Sequence, residues 1–225
     1  TFIVGYVQTD NPGVIAKSLN VLRQDVQADD YLSGIPSMTS TLRAFHANKD
    51  CPEVKERVFK LIKQLDFKAF VIVARKDEAR FRKKFDLKPG RLYEFLVAKL
   101  FENRLHKYQQ IGIYFSGMGN VVRQHGMQLA INAAIDSFRS KWGQENGNDI
   151  RVFVQEYSQI PVLQVVDYVL WTINRVFEKS DYRFYNYIKE KISLIQDIFD
   201  LAGYPKNFYT PEEPLDPKKV SPPGG

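Results

Sequence analysis

The run Phe67-Lys68-Ala69-Phe70-Val71-Ile72-Val73-Ala74 constrains this chain more than any other stretch. Its apolar side chains are nearly continuous and partly β-branched, so no alternation leaves one face for water. A strand of that kind is covered on both faces, which places helices on either side of a sheet. Ile111 to Phe115 and Ile150 to Val154 read as strands too, and Phe2 to Gln8 forms another that stops at the turn cluster Asp10-Asn11-Pro12-Gly13. Helical patterns lie between them. Val14, Ala16, Leu19, Val21, Leu22 and Val26 fall largely on one stripe. Asp50-Cys51-Pro52-Glu53 opens a second helix, with Asp50 as cap and Val54, Val58, Leu61, Ile62 and Leu65 as its apolar face.

Gly34 to Ser40 reads as a loop, and helices are expected over Arg91 to His106, Val121 to Trp142, Val162 to Phe177 and Asp181 to Phe199. The third is nearly apolar all round and is expected against the sheet. The expected fold class is therefore α/β, a single domain over residues 1–203 with a mixed sheet flanked by helices. Residues 204–225 hold six of the 11 prolines and read as an extended tail without a core.

Composition narrows the function classes. A hydrophobic fraction of 44% excludes a disordered or collagen-like chain. At 225 residues the chain is long enough to bury roughly 70% of its unfolded surface. No apolar run approaches the roughly 18 residues of a membrane span, so no membrane partner is expected. One cysteine, Cys51, excludes an internal disulfide and a multi-cysteine zinc site, and beside Pro52 it reads as a small helix-start residue. A reducing, cytoplasmic setting follows as the expectation. The balance of 32 basic against 26 acidic residues, a net charge of +6, favours phosphate-rich partners.

Three residues stand out as candidates for chemistry. Asp167 sits in the otherwise apolar stretch Ile160-Pro161-Val162-Leu163-Gln164-Val165-Val166-Asp167-Tyr168-Val169-Leu170-Trp171. Aspartate is a poor mid-helix residue, and burying its charge demands a partner or a metal. At helical spacing Gln164, Asp167, Trp171, Asn174 or Arg175, and Glu178 make one mostly polar stripe, which is equally the solvent face of a helix. Glu156 follows a strand end, where α/β sheets place functional groups, though most such residues are simply solvated. If the two carboxylates converge, they supply hard oxygens for Mg²⁺ or Mn²⁺. His46, in Ala44-Phe45-His46-Ala47, precedes the capped helix and on its own reads as an ordinary loop histidine.

Two further stretches bear on phosphate. Arg75, Lys76, Arg80, Arg82, Lys83, Lys84, Lys88 and Arg91 form a basic run interleaved with Phe81 and Phe85, a pattern that suits nucleic acid and also suits a solvated charged face. The Ser116-Gly117-Met118-Gly119-Asn120 turn joins a strand to a helix without matching a phosphate-loop fingerprint.

The stretch IPVLQVVDYVLWTINRVFEKSDYRFYNYIKEKISLIQDIFD resembles the closing signature of the domain of unknown function 3800 family, within the ribonuclease H-like superfamily. Phe45-His46-Ala47-Asn48-Lys49-Asp50 is similar to that family's short histidine-containing segment. The resemblance implies a ribonuclease H-like mixed sheet, a metal-binding role for Asp167 and an acidic strand ahead of Phe2. Here Ala44 and Phe45 stand where members often carry an acid, and Ser116 stands where related nucleases place another.

The leading expectation is a metal-dependent nuclease or phosphodiesterase acting on nucleic acid. Asp167 ligates Mg²⁺ or Mn²⁺, Glu156 helps, and His46 approaches the scissile phosphate. The rival is a non-catalytic module of the same fold that binds nucleic acid or protein. In a third reading Tyr182, Phe184, Tyr185 and Tyr187 of the closing helices form a homo-oligomer contact. Charge reversal at Arg80, Arg82, Lys83 and Lys84 is expected to weaken nucleic-acid binding and flatten its salt dependence, by roughly 0.7–0.9 in log–log slope for each phosphate no longer neutralised. A salt titration that shows unchanged affinity and slope removes the run from the interface.

Overall fold

The computed structural model describes residues 1–75, 86, 88–117, 121–143, 148–198, 200 and 207–216. Strand β1 (Phe2–Gln8) pairs antiparallel with β2 (Lys68–Ala74). A parallel partner, β5 (Ile192–Asp197), flanks β2 on its other side and pairs antiparallel with the short β6 (Phe208–Tyr209), giving the order β1-β2-β5-β6. Strands β3 (Gln110–Gly117) and β4 (Asp149–Glu156) form a separate parallel pair, in register from Gln110 opposite Asp149 to Gly117 opposite Glu156. The protein is a mixed α/β domain whose mixed sheet is flanked by helices.

The continuous apolar run of β2 finds its reason in two cores. Ala69, Val71 and Val73 enter a cluster with helices α1 (Pro12–Gln27), α4 (Pro52–Gln64), α7 (Val162–Lys179) and α8 (Arg183–Ile188). Ile72 and Ala74 point the other way, into a cluster with α5 (Pro89–Phe101) and α6 (Val121–Trp142). Ile113 of β3 and Val152 of β4 belong to that second cluster, so the strand pair and the larger sheet share one apolar core.

Helix α7 lies across β1 and β2 as its apolar face predicts, with Val165, Tyr168, Val169, Ile173 and Val176 buried. The approach is close: a Cβ on Gly5 would stand 2.8 Å from both the Phe70 carbonyl oxygen and Leu170 Cδ2. The helix stops at Ser180, whose φ of 52° is left-handed, and the Asp181 N–H closes back on the Arg175 carbonyl at 3.1 Å. Among the described residues no helix is long and apolar enough to cross a membrane.

The structure departs from the sequence reading in four places. Residues 181–199, expected as one helix, divide into α8, a 3₁₀ turn (Lys189–Lys191) and β5. The buried residues Tyr185, Ile188, Ile192 and Ile195 recur at helical spacing, which disguises the change from helix to strand. In α1 the buried face is Ile15, Leu19 and Val26, whereas Val14 and Val21, which lie roughly 100–120° round the helix from Ile15, are exposed. The stretch Gly34 to Ser40, read as loop, follows the short α2 (Asp30–Ser33) and already holds the start of α3 (Met38–Arg43).

The fourth departure concerns the tail. Residues 207–216 pack onto the body: Tyr209 and Leu215 are buried, and the Leu215 N–H donates to the Tyr185 hydroxyl at 2.9 Å. The two apolar residues are enough to dock because β5 offers its outer edge as a template. Leu215→Ala is therefore expected to lower the unfolding free energy by about 2–4 kcal/mol, as for other core leucines. Urea unfolding checks it; a change within about 0.5 kcal/mol is the behaviour of an undocked surface residue.

Candidate functional site

The segment 44–50 links α3 to α4 and is largely buried, so its backbone N–H groups need acceptors from elsewhere. Helix α7 supplies two of them. Gln164 Oε1 accepts from the Phe45 N–H at 2.9 Å, and Asp167 Oδ2 accepts from the Ala47 N–H at 2.8 Å. Tyr157, just after β4, donates its hydroxyl to the Phe45 carbonyl. Asp50 completes the clamp from within: it accepts from the His46 N–H at 2.7 Å, the Thr41 hydroxyl at 2.6 Å and the Tyr168 hydroxyl at 2.7 Å.

Asp50 is thus not the helix cap that its position predicts. Cys51 holds the N-cap position of α4, and the Asp50 side chain turns inward, 3% exposed. Burial pushes the Cys51 thiol up, which favours its protonated form. Burial also pushes the Tyr157 and Tyr168 phenols well above the ordinary range, so both remain hydroxyl donors.

Asp167 and His46, singled out separately from the sequence, meet here. His46 Nδ1 stands 3.4 Å from Asp167 Oδ2 and accepts from the Asn48 N–H at 3.3 Å. Burial raises the Asp167 carboxyl above the ordinary carboxylate range; the Ala47 N–H and the His46 ring pull it back, and the nearby Asp50 charge pushes it up again. The carboxyl opens on a cleft of about 470 Å³ whose wall includes Ile3, Asn48, Asn174, Arg175 and Lys179. Arg175 is already engaged with Asp181 at 2.8 Å, while Lys179 is exposed.

The remaining candidates lie apart from this pair. Glu156 is exposed at the end of β4, and its neighbour Tyr157, not Glu156 itself, reaches the clamp. Among the described residues no three histidine, cysteine or carboxylate groups gather as a metal site. Arg75 donates to the buried Asp197 at 2.6 Å and lies over the Phe177 ring, an inward ion pair rather than an outward phosphate contact. Lys76, Arg80, Arg82, Lys83 and Lys84 lie outside the described residues, as do Met118, Gly119 and Asn120 of the glycine turn. Arg91 pairs with Asp86 at 2.5 Å.

Of the closing aromatics, Tyr185 is buried against Leu215, Phe184 packs on Trp171 and Tyr187 is exposed. The residues missed from the sequence are Thr41, Asp50, Gln164, Tyr157 and Tyr168 in their clamping roles. Gln164 carried a signal, since an amide in an apolar helix needs partners as much as a carboxylate does. Comparison with protein-family models, with curated proteins and with solved structures finds no match for this chain.

A carboxyl held above its unfolded value binds more protons in the native state over the interval between the two values. From about pH 4, the unfolded value, upward, the Asp167 contribution to stability is therefore lost as pH rises. Relative to Asp167→Asn, which keeps an acceptor for Ala47, the wild-type unfolding free energy is expected to fall between about pH 4 and neutrality. Paired urea titrations across that range check it, and a difference that grows with pH contradicts the assignment.

Proposed function

We propose that the protein is a metal-dependent phosphodiesterase of ribonuclease H-like fold that acts on nucleic acid. The observation that carries this reading is the meeting of Asp167 and His46 beside a cleft bearing Arg175 and Lys179. The two stretches that resemble the domain of unknown function 3800 family are also hydrogen-bonded to each other, through Gln164 with Phe45 and Asp167 with Ala47. The mixed sheet with helices on its faces is compatible with the same fold.

Asp167 Oδ2 is engaged by the clamp, and Oδ1 has no hydrogen-bond partner among the described residues. One or two carboxylates together with substrate phosphates suffice for a hydrated Mg²⁺. This donor set fits one such ion on Asp167 and does not fit a closely held pair of ions, and Glu156, which does not line the cleft, is not among the donors. When bound, the cation would polarise a phosphoryl oxygen and offset its developing charge. Lys179 holds a neighbouring phosphate, and His46 offers its Nε2 proton towards the leaving oxygen. The Asn48 N–H, 3.3 Å from Nδ1, helps fix the orientation of the ring.

A non-catalytic binding module is the second reading, favoured by the clamp itself, which gives Asp167 a structural role that needs no metal. Calorimetry of the full-length protein with Mg²⁺ and Mn²⁺, beside Asp167→Asn, separates the two. The phosphodiesterase reading expects binding that weakens at least about tenfold in the variant, the usual effect of losing a metal-site group. Absence of binding in wild type leaves the module, and binding retained by the variant moves the ion to other carboxylates.

A further inference from the structure

Beyond Trp171 and Arg175, which also border the Asp167 cleft, the surface continues into a second groove of about 640 Å³ between α4, α7 and α8. Its chemistry differs from the first. Trp171 and Phe184 meet edge to face with ring centroids 4.7 Å apart, and Tyr187 stands exposed at the far side. Cations cover the rings: Lys55 Nζ lies 5.3 Å from the Trp171 centroid and the Arg183 guanidinium 5.4 Å from that of Phe184. The wall carries Lys55, Lys60, Arg175 and Arg183 against the single acid Glu56, which is held by Lys60 at 2.7 Å. Asp181 sits behind the two arginines and fixes their orientation.

We propose that this groove is a track for single-stranded nucleic acid that feeds the Asp167 cleft. The inference rests on the reading above for the class of polymer and adds its strandedness and its path. Aromatic faces interleaved with lysine and arginine suit a strand whose bases stack while its phosphates meet cations. A duplex keeps its bases paired and stacked inside, so a groove that offers rings rather than a broad cationic face selects unpaired nucleotides. The excess of cations in the wall argues for a polyanion over an apolar peptide. None of these residues belongs to the basic run between Arg75 and Arg91.

The chain has two tryptophans, so Trp142→Phe leaves Trp171 as the sole indole reporter. In that background a short oligothymidylate, a duplex of equal length and a polyglutamate peptide are titrated over a range of salt, without divalent cation. The oligothymidylate is expected to quench Trp171. Tyr187→Ala is expected to weaken binding at least about fivefold, the lower end for removal of a ring that stacks on a base. Lys60→Gln is expected to make the log–log salt slope shallower by about 0.7, one phosphate on a single strand. Both positions are exposed, so neither change threatens the fold.

If the oligonucleotide binds and neither variant alters affinity or slope, the groove assignment is overturned while the nucleic-acid reading stands. If neither oligonucleotide nor duplex binds, both fail together. Equal affinity for duplex overturns the single-strand assignment, and equal quenching by polyglutamate replaces the nucleic acid with an acidic protein segment.

Discussion

A connecting segment folded under a helix has to find an acceptor for each buried N–H, and the rest of this site depends on how residues 44–50 do so. Three side chains that accept, Gln164, Asp167 and Asp50, take the N–H groups of Phe45, Ala47 and His46 in alternating order from outside and inside the loop. Hydrogen bonds to charged acceptors contribute about 1.5–3 kcal/mol each, more than neutral ones. An unmade bond at such a buried N–H would cost about 1–3 kcal/mol. The loop therefore has one arrangement well below its alternatives. That arrangement is what brings the His46 ring to Asp167.

The clamp in turn needs α7 to be immovable, and this comes from the sheet. β2 is enclosed on both faces, so the helices on either side cannot shift without opening one core or the other. Gly5 lets β1 approach Leu170 of α7 more closely than any side chain would allow. Tyr168 ties the packing to the polar network, with its ring in the core against Phe59 and its hydroxyl on Asp50. One residue thus couples the hydrophobic seating of the helix to the shape of the loop.

The sequence made the strands legible because their signal is local. β1 coincides with the expected run, and β2, β3 and β4 differ from theirs by no more than a few residues at the ends. β5 was hidden because its burial repeats at three- and four-residue intervals in continuity with α8, and only pairing with β2 decides the strand. The tail was hidden for a related reason, since two apolar residues among prolines carry no core signal until an edge strand is present to receive them. At the site, Asp167 and His46 were visible as anomalies of residue type. Asp50 looked like a helix cap because aspartate ahead of Cys-Pro-Glu suits that role, and its inward turn depends on Thr41 and Tyr168, which come from other elements.

The clamping role of Asp167 and the proposed metal-binding one are compatible because they would fall on different oxygens. Oδ2 anchors the loop at Ala47, which fixes the carboxylate plane and removes the rotamer freedom that a surface aspartate would lose on binding a ligand. Burial makes the ionised form unfavourable, and a cation or a proton on the remaining oxygen relieves that penalty. The same desolvation that raises the carboxyl therefore supplies a reason to take up positive charge from the cleft. It also sets proton and metal in competition at this oxygen, so metal uptake through Asp167 would strengthen as pH rises through its elevated value.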